Sequence, residues 1–391
     1  MEVRKLTEKE HFEADLISCI AFHMRMENPE KAREESEKLK TEDWGAFDER
    51  GKLMARILNY RFNTWLDGQP VVSGGIGGVS TLPEYRNSGA IREIFRKLIP
   101  EARRNGEIIS TLYPFNHAFY RKFGYETACW RNDYEFAPAV LKEYRFGGTA
   151  ELWKPGDPVS EYTALYNRFA RDFNLAMRRD DEMMLEGHLK GEYYRDRKFG
   201  YLLRENGIPV AYLIFKDIRH DPMAILSVED LAWDGRAGMN ALLGFLARFT
   251  ADYGTVRLFL PACLELFSFI RCPQSYDISQ TVGHGYMIRA VIVQRLLEII
   301  RKPDRCSFII RVEGDEFIAD NNGTWEVCGK EAVRTDKAPD LTVSVQAFGQ
   351  LAAGCASLSE AVYRPDVTVA DNRDILERIF VRKPVLVEDH F

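Results

Sequence analysis

The sequence predicts a protein of mixed α/β and α+β class, built from two or three domains. Three observations carry that expectation. First, 391 residues leave room for two or three units of about 100–200 residues each. Second, strand-like and helix-like stretches alternate over residues 1–140 and do so again over 145–283. Third, residues 286–391 hold short strands joined by Gly314-Asp315 and Asn322-Gly323 turns, with helices after them. A hydrophobic share of 46% is ample to fill a core in each.

Taken in order, Glu2–Leu6 reads as a first strand, and Thr7 with Glu10 as a capping box for a helix through Ile20. The charged stretch Asn28–Thr41 reads as a solvated surface helix. Leu53–Leu66 alternates as a strand, and Asp67-Gly68 turns it into Pro70–Thr81. Ile91, Ile94, Phe95, Leu98 and Ile99 then recur at helical spacing, with a kink or break expected near Ile99, before Pro100. Asn105-Gly106 ends that helix, Ile108–Tyr113 is a buried strand, and His117–Lys122 a short helix capped by Gly124. Tyr125–Phe136 is expected as the last strand of the first domain.

Residues 146–158 read partly as linker, and Pro158–Glu182 as helix. Tyr201–Leu203, the Asn206-Gly207 turn and Pro209–Lys216 repeat the hairpin pattern around Asp67-Gly68. Leu226–Trp233, Met239–Tyr253 and Val256–Leu260 read as strand, helix and strand. The last part begins at Met287–Ile300. Strands are expected at Cys306–Val312, Glu316–Ala319, Thr324–Val327 and Leu341–Val345, and helices at Gln346–Ala353, Ser359–Val362 and Arg373–Val381.

Composition narrows the chemistry. A net charge of −6 argues against a nucleic-acid binder and suits a cationic partner. Seven cysteines form no C-x-x-C and no Cys/His metal spacing, so no metal is expected; they read as thiols of a reducing cytosol. The charged start MEVRKLTEKEHFEAD predicts no signal peptide, and no apolar run reaches ~18 residues, so no membrane helix is expected.

The stretch that speaks of chemistry is residues 70–125. Its strand holds Gly74, Gly75, Gly77 and Gly78, the mark of a bulge, of close approach by a ligand, or of a flexible hairpin arm. Asn87 and Ser88 are good N-caps, and Gly89 lets a ligand near the backbone. Arg86 beside a helix start puts N–H groups, the positive dipole end and a guanidinium together, which suits a pyrophosphate. No G-x-x-x-x-G-K-[ST] occurs, and Gly75-Ile76-Gly77 fails the dinucleotide pattern because Ser80 stands at its last position and no helix opens there. What remains is Arg86-x-x-Gly89-Ala90.

That turn resembles the R/Q-x-x-G-x-G/A element that holds the pyrophosphate of acetyl-CoA in GNAT acyltransferases, with Ile91 where Gly or Ala is usual. With GGVSTLPEYRNSGAIREIF and LYPFNHAFYRKFGY, the chain resembles the Eis (enhanced intracellular survival) family of GNAT N-acetyltransferases. The resemblance implies tandem GNAT-like domains, catalytic at 1–140 and without the cofactor motif at 145–283, and a sterol-carrier-protein-like α+β domain at 286–391. It implies an acetyl-CoA co-substrate and a small cationic amine acceptor of aminoglycoside type, with protein lysines as a further class. It also implies a homo-hexamer. Backbone amides of Val79, Ser80 and Thr81 are expected at the acetyl carbonyl and pantetheine arm. Arg86, Asn87, Ser88, Gly89, Ala90, Ile91 and Arg92 are expected at the pyrophosphate, and Phe115 and Asn116 against the cofactor. Tyr120 matches the family's general acid. Phe391 matches the family's C-terminal residue, whose α-carboxylate acts as base. Phe22, Met24, Met26 and Trp44 are candidates to line the acceptor pocket or to be core. The competing class is a lipid-binding scaffold led by the C-terminal domain, with a relic GNAT domain.

Overall fold

The computed structural model describes residues 1–36, 41–218, 224–268, 270, 277–283, 285–304 and 306–389. They form two compact units. One joins Met1–Ala128, Gly285–Lys383 and the residues from Glu388 on; the other joins Cys129–His284 with Pro384–Val387.

The first unit opens with β1 (Glu2–Lys5), α1 (Glu8–Phe22), α2 (Pro29–Ser36), β2 (Glu42–Phe47), β3 (Leu53–Leu66) and β4 (Gln69–Thr81). It continues with α3 (Ala90–Arg104), β5 (Ile109–Leu112), α4 (His117–Arg121) and β6 (Glu126–Thr127). The capping box forms at α1: Thr7 N–H and hydroxyl both reach the Glu10 carboxylate at 2.8 Å. α3 is not broken at Ile99 but runs on through Pro100 to Arg104. Ile94, Phe95, Leu98 and Ile99 are buried against the sheet. At ~1.5–3 kcal/mol each they outweigh the ~3 kcal/mol that an interior proline costs.

The seven-stranded sheet has the order β1-β2-β3-β4-β5, then Met287–Ala290, then β6. Met287–Ala290 does not simply open the third segment: it pairs antiparallel with β5 on one side and β6 on the other. The single strand expected at Tyr125–Phe136 is two. Glu126–Thr127 belongs here, and Arg131–Phe136 lies in the sheet of the other unit. The remainder of this unit carries a five-stranded sheet in the order Glu331–Arg334, Gly323–Cys328, Ser307–Glu313, Leu341–Ser344, Val367–Val369. Glu316–Ala319 is not a strand; a 3₁₀ turn at Ala319–Asn321 follows a loop folded around Asp315.

The second unit is a seven-stranded sheet ordered Ile278–Val282, Arg131–Phe136, Tyr253–Pro261, Ala224–Trp233, Ile208–Ile218, Lys198–Glu205, Thr149–Leu152. Thr149–Leu152 thus falls in the stretch expected as linker. The helix expected over Pro158–Glu182 stops at Ala170, and that expected from Met239 starts at Gly235. The repeat is offset by one strand. The helix follows Ala224–Trp233, so the counterpart of the β3–β4 hairpin is Ile208–Ile218 with Ala224–Trp233, not the pair around Asn206-Gly207.

Candidate active site

β4 and β5 run parallel from Ser73 opposite Ile109 to Ile76 opposite Leu112, and there the pairing stops. β5 ends and Pro114 turns the chain away, while β4 continues to Thr81 paired with β3 alone. The ladder slips at this point: Leu58 faces Gly77 but Arg56 faces Ser80, so β4 carries an extra residue. Gly78 takes a left-handed φ of 57°, and a Cβ there would press on Leu58. The main chain of Gly77–Thr81 therefore has no strand partner among the described residues on the side where β5 has left the sheet. Val79, Ser80 and Thr81 all lie on this stretch.

The turn into α3 follows. Asn87 and Gly89 both sit at positive φ, 65° and 84°. Contrary to expectation, neither Asn87 nor Ser88 caps the helix; Gly89 is the N-cap residue and no side chain bonds the first turn. Among the described residues, the amides of Gly89, Ala90, Ile91 and Arg92 find no acceptor. An uncapped, exposed helix start is a ready anion site. A Cβ at Gly89 would meet open space, so a ligand can come close to the main chain there. Arg86 to Gly89 are exposed, and the Arg86 guanidinium has no ion pair among the described residues. The Arg92 side chain is instead held by Glu316.

Tyr120 lies on α4 and is 3% exposed. It packs in one cluster with Ile76 and Leu112, the last paired residues of β4 and β5, and with Ala90 at the head of α3. Phe115 and Phe119 cover its ring at 5.3 and 5.1 Å. Its hydroxyl has no hydrogen-bond partner among the described residues. Burial, with Tyr125 nearby, pushes the phenol above its ordinary pKa. Tyr125 is also buried, but its hydroxyl is engaged by Ser110 at 2.8 Å. Phe115 is 67% exposed at the mouth. The Asn116 side chain accepts from the Phe119 amide at 3.0 Å and so caps α4.

Phe391 and His390 lie outside the described residues. The chain just before them is anchored: the Asp389 carbonyl accepts from the Tyr286 hydroxyl at 3.1 Å, and Asp389 is buried. The Tyr286 ring meets Tyr113, the residue after β5, at 5.3 Å. Trp44 is a core residue, whereas Phe22 and Met24 are 46% and 53% exposed.

Sequence reasoning missed the polar layer beneath α1. Arg56 on β3 is 1% exposed. It binds the Asp43 and Asp15 carboxylates and reaches the Ser18 hydroxyl at 3.3 Å, which in turn lies 3.3 Å from that of Ser80. The available signal was an arginine inside the apolar run LMARIL.

Residues 2–128 match a family model described as an acetyltransferase (GNAT) domain, and residues 292–387 one described as a sterol carrier protein domain. The chain is thus an acetyltransferase-class enzyme with a GNAT domain and a sterol-carrier-like domain. The whole chain is similar to three solved structures. A GCN5-related N-acetyltransferase from Anabaena variabilis aligns over 100% of both chains, with a TM-score of 0.87 at 19% identity. A probable N-acyltransferase from Enterococcus faecalis aligns over 100% of this chain and 99% of its own, with 0.86 at 20%. Eis1 from Mycobacterium abscessus aligns over 100% of both, with 0.83 at 18%. At such identities the likeness is one of fold. No curated protein matches by sequence.

Proposed function

We propose that this chain is an Eis-type N-acetyltransferase that moves the acetyl group of acetyl-CoA to a primary amine of a cationic, aminoglycoside-type acceptor, at one or several positions. The observation that carries this is the edge of β4 left unpaired by β5 beside the uncapped start of α3, with a buried tyrosine at their junction whose hydroxyl has no hydrogen-bond partner among the described residues. The pyrophosphate is assigned to the turn Arg86–Arg92, and the pantetheine arm and acetyl carbonyl to the main chain of Val79–Thr81.

In the reaction the amine nitrogen attacks the thioester carbon, the C–S bond breaks, and the thiolate leaves. An ammonium of pKa ~10 must first lose a proton. The proposed acceptor of that proton is the α-carboxylate of Phe391, a weak base of pKa ~3.5 that acts by position, through a water. In support, Tyr286 holds the Asp389 carbonyl, and its ring meets Tyr113, the residue after β5. Tyr120 is the proposed acid. Its raised pKa keeps it protonated, so it first donates a hydrogen bond to the developing thiolate, gives up the proton as CoA departs, and is restored by the second proton that the nitrogen sheds in becoming the amide.

A cytoplasmic location, from the cysteine usage, and a hexameric assembly, from the resemblance, belong to the same proposal. No helix of the described residues is long and apolar enough to cross a membrane. A lipid-carrier role is not favoured: Phe308, Trp325, Phe348 and Phe380 fill the interior of the C-terminal domain. The test is release of free thiol from acetyl-CoA across a panel of aminoglycosides and polyamines. Release that depends on the amine is expected. Silence with every amine, together with no calorimetric heat from millimolar acetyl-CoA, would overturn the proposal.

A further inference from the structure

The segment that bears Tyr120 is gripped from outside the acetyltransferase domain. Phe123 N–H donates to the Tyr120 carbonyl at 2.9 Å, so the turn 120–124 fixes the tyrosine's backbone. Four side chains from later in the sequence hold this turn and the strand after it. Arg289 Nη1 donates to the Phe123 carbonyl at 2.9 Å, Gln346 Nε2 to the Arg121 carbonyl at 3.2 Å, and Gln350 Nε2 to the Thr127 carbonyl at 2.7 Å. Arg364 Nη1 reaches Glu126 at 3.1 Å.

Arg289 is the centre of the grip. It lies on the inserted strand Met287–Ala290, and its Nη2 meets both Asp315 oxygens at 2.7 and 2.9 Å. Both side chains are fully buried. Asp315 also accepts from the amides of Phe317 and Ile318 and from the Asn321 side chain, so its carboxylate is locked in place. The guanidinium lies directly under Gly124. A Cβ there would collide with Nη1, and the φ of 84° disfavours one as well. A fully buried ion pair is a costly way to gain stability, and apolar residues of similar volume often do as well. What a fork hydrogen-bonded on both sides supplies is fixed geometry.

We infer that the Arg289–Asp315 pair is a positioning device for Tyr120, and that seating the turn after α4 is what the sterol-carrier-like domain contributes to acyl transfer. This rests on Tyr120 being the acid. A misplacement of the acid by about 1 Å can cost up to ~100-fold in rate while leaving the cofactor turn untouched.

The experiment is Arg289→Lys, which keeps the charge and loses the fork, made in the wild-type chain and in a Tyr120→Phe chain. In the wild-type chain kcat is expected to fall about tenfold or more, with the KM for acetyl-CoA within about twofold. In the Tyr120→Phe chain no further fall is expected, because the residue acts through the missing hydroxyl. An equal fall in both chains, an unchanged kcat, or an effect confined to the KM for acetyl-CoA would overturn the inference. Should Arg289→Lys not fold, Gln346→Ala at the edge of the grip gives the same test, with a kcat loss of about two- to fivefold that vanishes in the Tyr120→Phe chain. A wild-type chain that releases no CoA with any amine would overturn the proposed function and this inference together. Wild-type turnover with equal losses overturns this inference alone.

Discussion

In the first unit β4 feeds α3, which crosses to the parallel strand β5. In the second unit Ala224–Trp233 feeds the helix Gly235–Leu246, which crosses to the parallel strand Tyr253–Pro261. Both parallel pairs stop after four residues on the leading strand. The two junctions nevertheless differ in the charge and the space beside the first turn. At α3 the first turn is uncapped, Gly89 faces open space and Arg86 stands beside it. The second helix likewise has no side-chain cap, but its N-cap residue is Asp234, which places a carboxylate there, paired with Arg168 at 3.3 Å, and the Asp234 amide is taken by the Val210 carbonyl at 2.8 Å. Gly238 packs against that same carbonyl with no space for a Cβ. Beyond the last paired residues, Leu231, Leu258 and Leu260 close with Leu242 and Leu246 around a void of about 10 Å³, at the lower limit for one water. A strand–helix–strand crossover is thus a frame. Whether it binds an anion depends on what fills the first helical turn and the gap between the strands.

The widest separation between the two units is expected at the hydroxyl of Tyr120. Tyr120→Phe should lower kcat by about 10²–10⁴-fold with acetyl-CoA affinity kept. The corresponding change at the buried Tyr212 of the second unit should leave kcat within about twofold. Equal losses, measured by thiol release, would erase the division of labour.

Both sheets bury an acid against an arginine, Asp43 with Arg56 in the first, but the first also buries an acid with no ion pair among the described residues. Asp230 of the second unit is paired with Arg179 at 2.7 Å. Glu107 of the first lies under the Gly74 backbone, and its Oε1 accepts from the side-chain amide of Asn59 at 3.0 Å. Its second oxygen and Asn59 Oδ1 both lack a hydrogen-bond partner among the described residues. Desolvation raises the Glu107 carboxyl to about 7 from 4.5. The folded state therefore holds this proton more tightly than the unfolded state. The associated stability is complete below pH ~4.5 and is lost as pH rises through about 7, by roughly 3 kcal/mol. Glu107→Gln mimics the protonated acid and can donate to Asn59. Urea midpoints between pH 5 and 8 should fall for the wild type and stay level for the variant; parallel curves would refute the assignment.

Smaller effects separate the helix starts. Gly238→Ala should destabilise the second unit by about 2 kcal/mol without changing acetyl-CoA affinity. Gly89→Ala should cost about 1 kcal/mol of stability and weaken that affinity as well. Arg86→Ala should raise the acetyl-CoA dissociation constant about tenfold by calorimetry, whereas Arg236→Ala, at the second helix, should leave it unchanged. Matching responses within either pair would remove the contrast.

Long elements with a strong local pattern were legible in the sequence. Leu53–Leu66, its Asp67-Gly68 turn and the apolar face of α3 depend on alternation, turn chemistry and helical spacing within a few residues. The turn and helix start after β4 were legible too, though not the cap: Gly89, rather than Asn87 or Ser88, stands at the N-cap, and no side chain bonds the first turn. β2, Glu331–Arg334 and Val367–Val369 were not seen, because strands this short take their identity from neighbours rather than from propensity. The supports of the site were hidden for a related reason. Gln346 meets Arg121 across 225 residues, and no local periodicity records such a bond.

The interposed strand Met287–Ala290 also bears on biogenesis. A ribosome that has finished β6 must add roughly 160 more residues before that strand exists, a wait of about 8–30 s at usual elongation rates. Throughout it, the facing edges of β5 and β6 have no mate. A nascent chain in that condition is a natural client for holding chaperones, and a fragment cut at Ala128 would stay in it permanently.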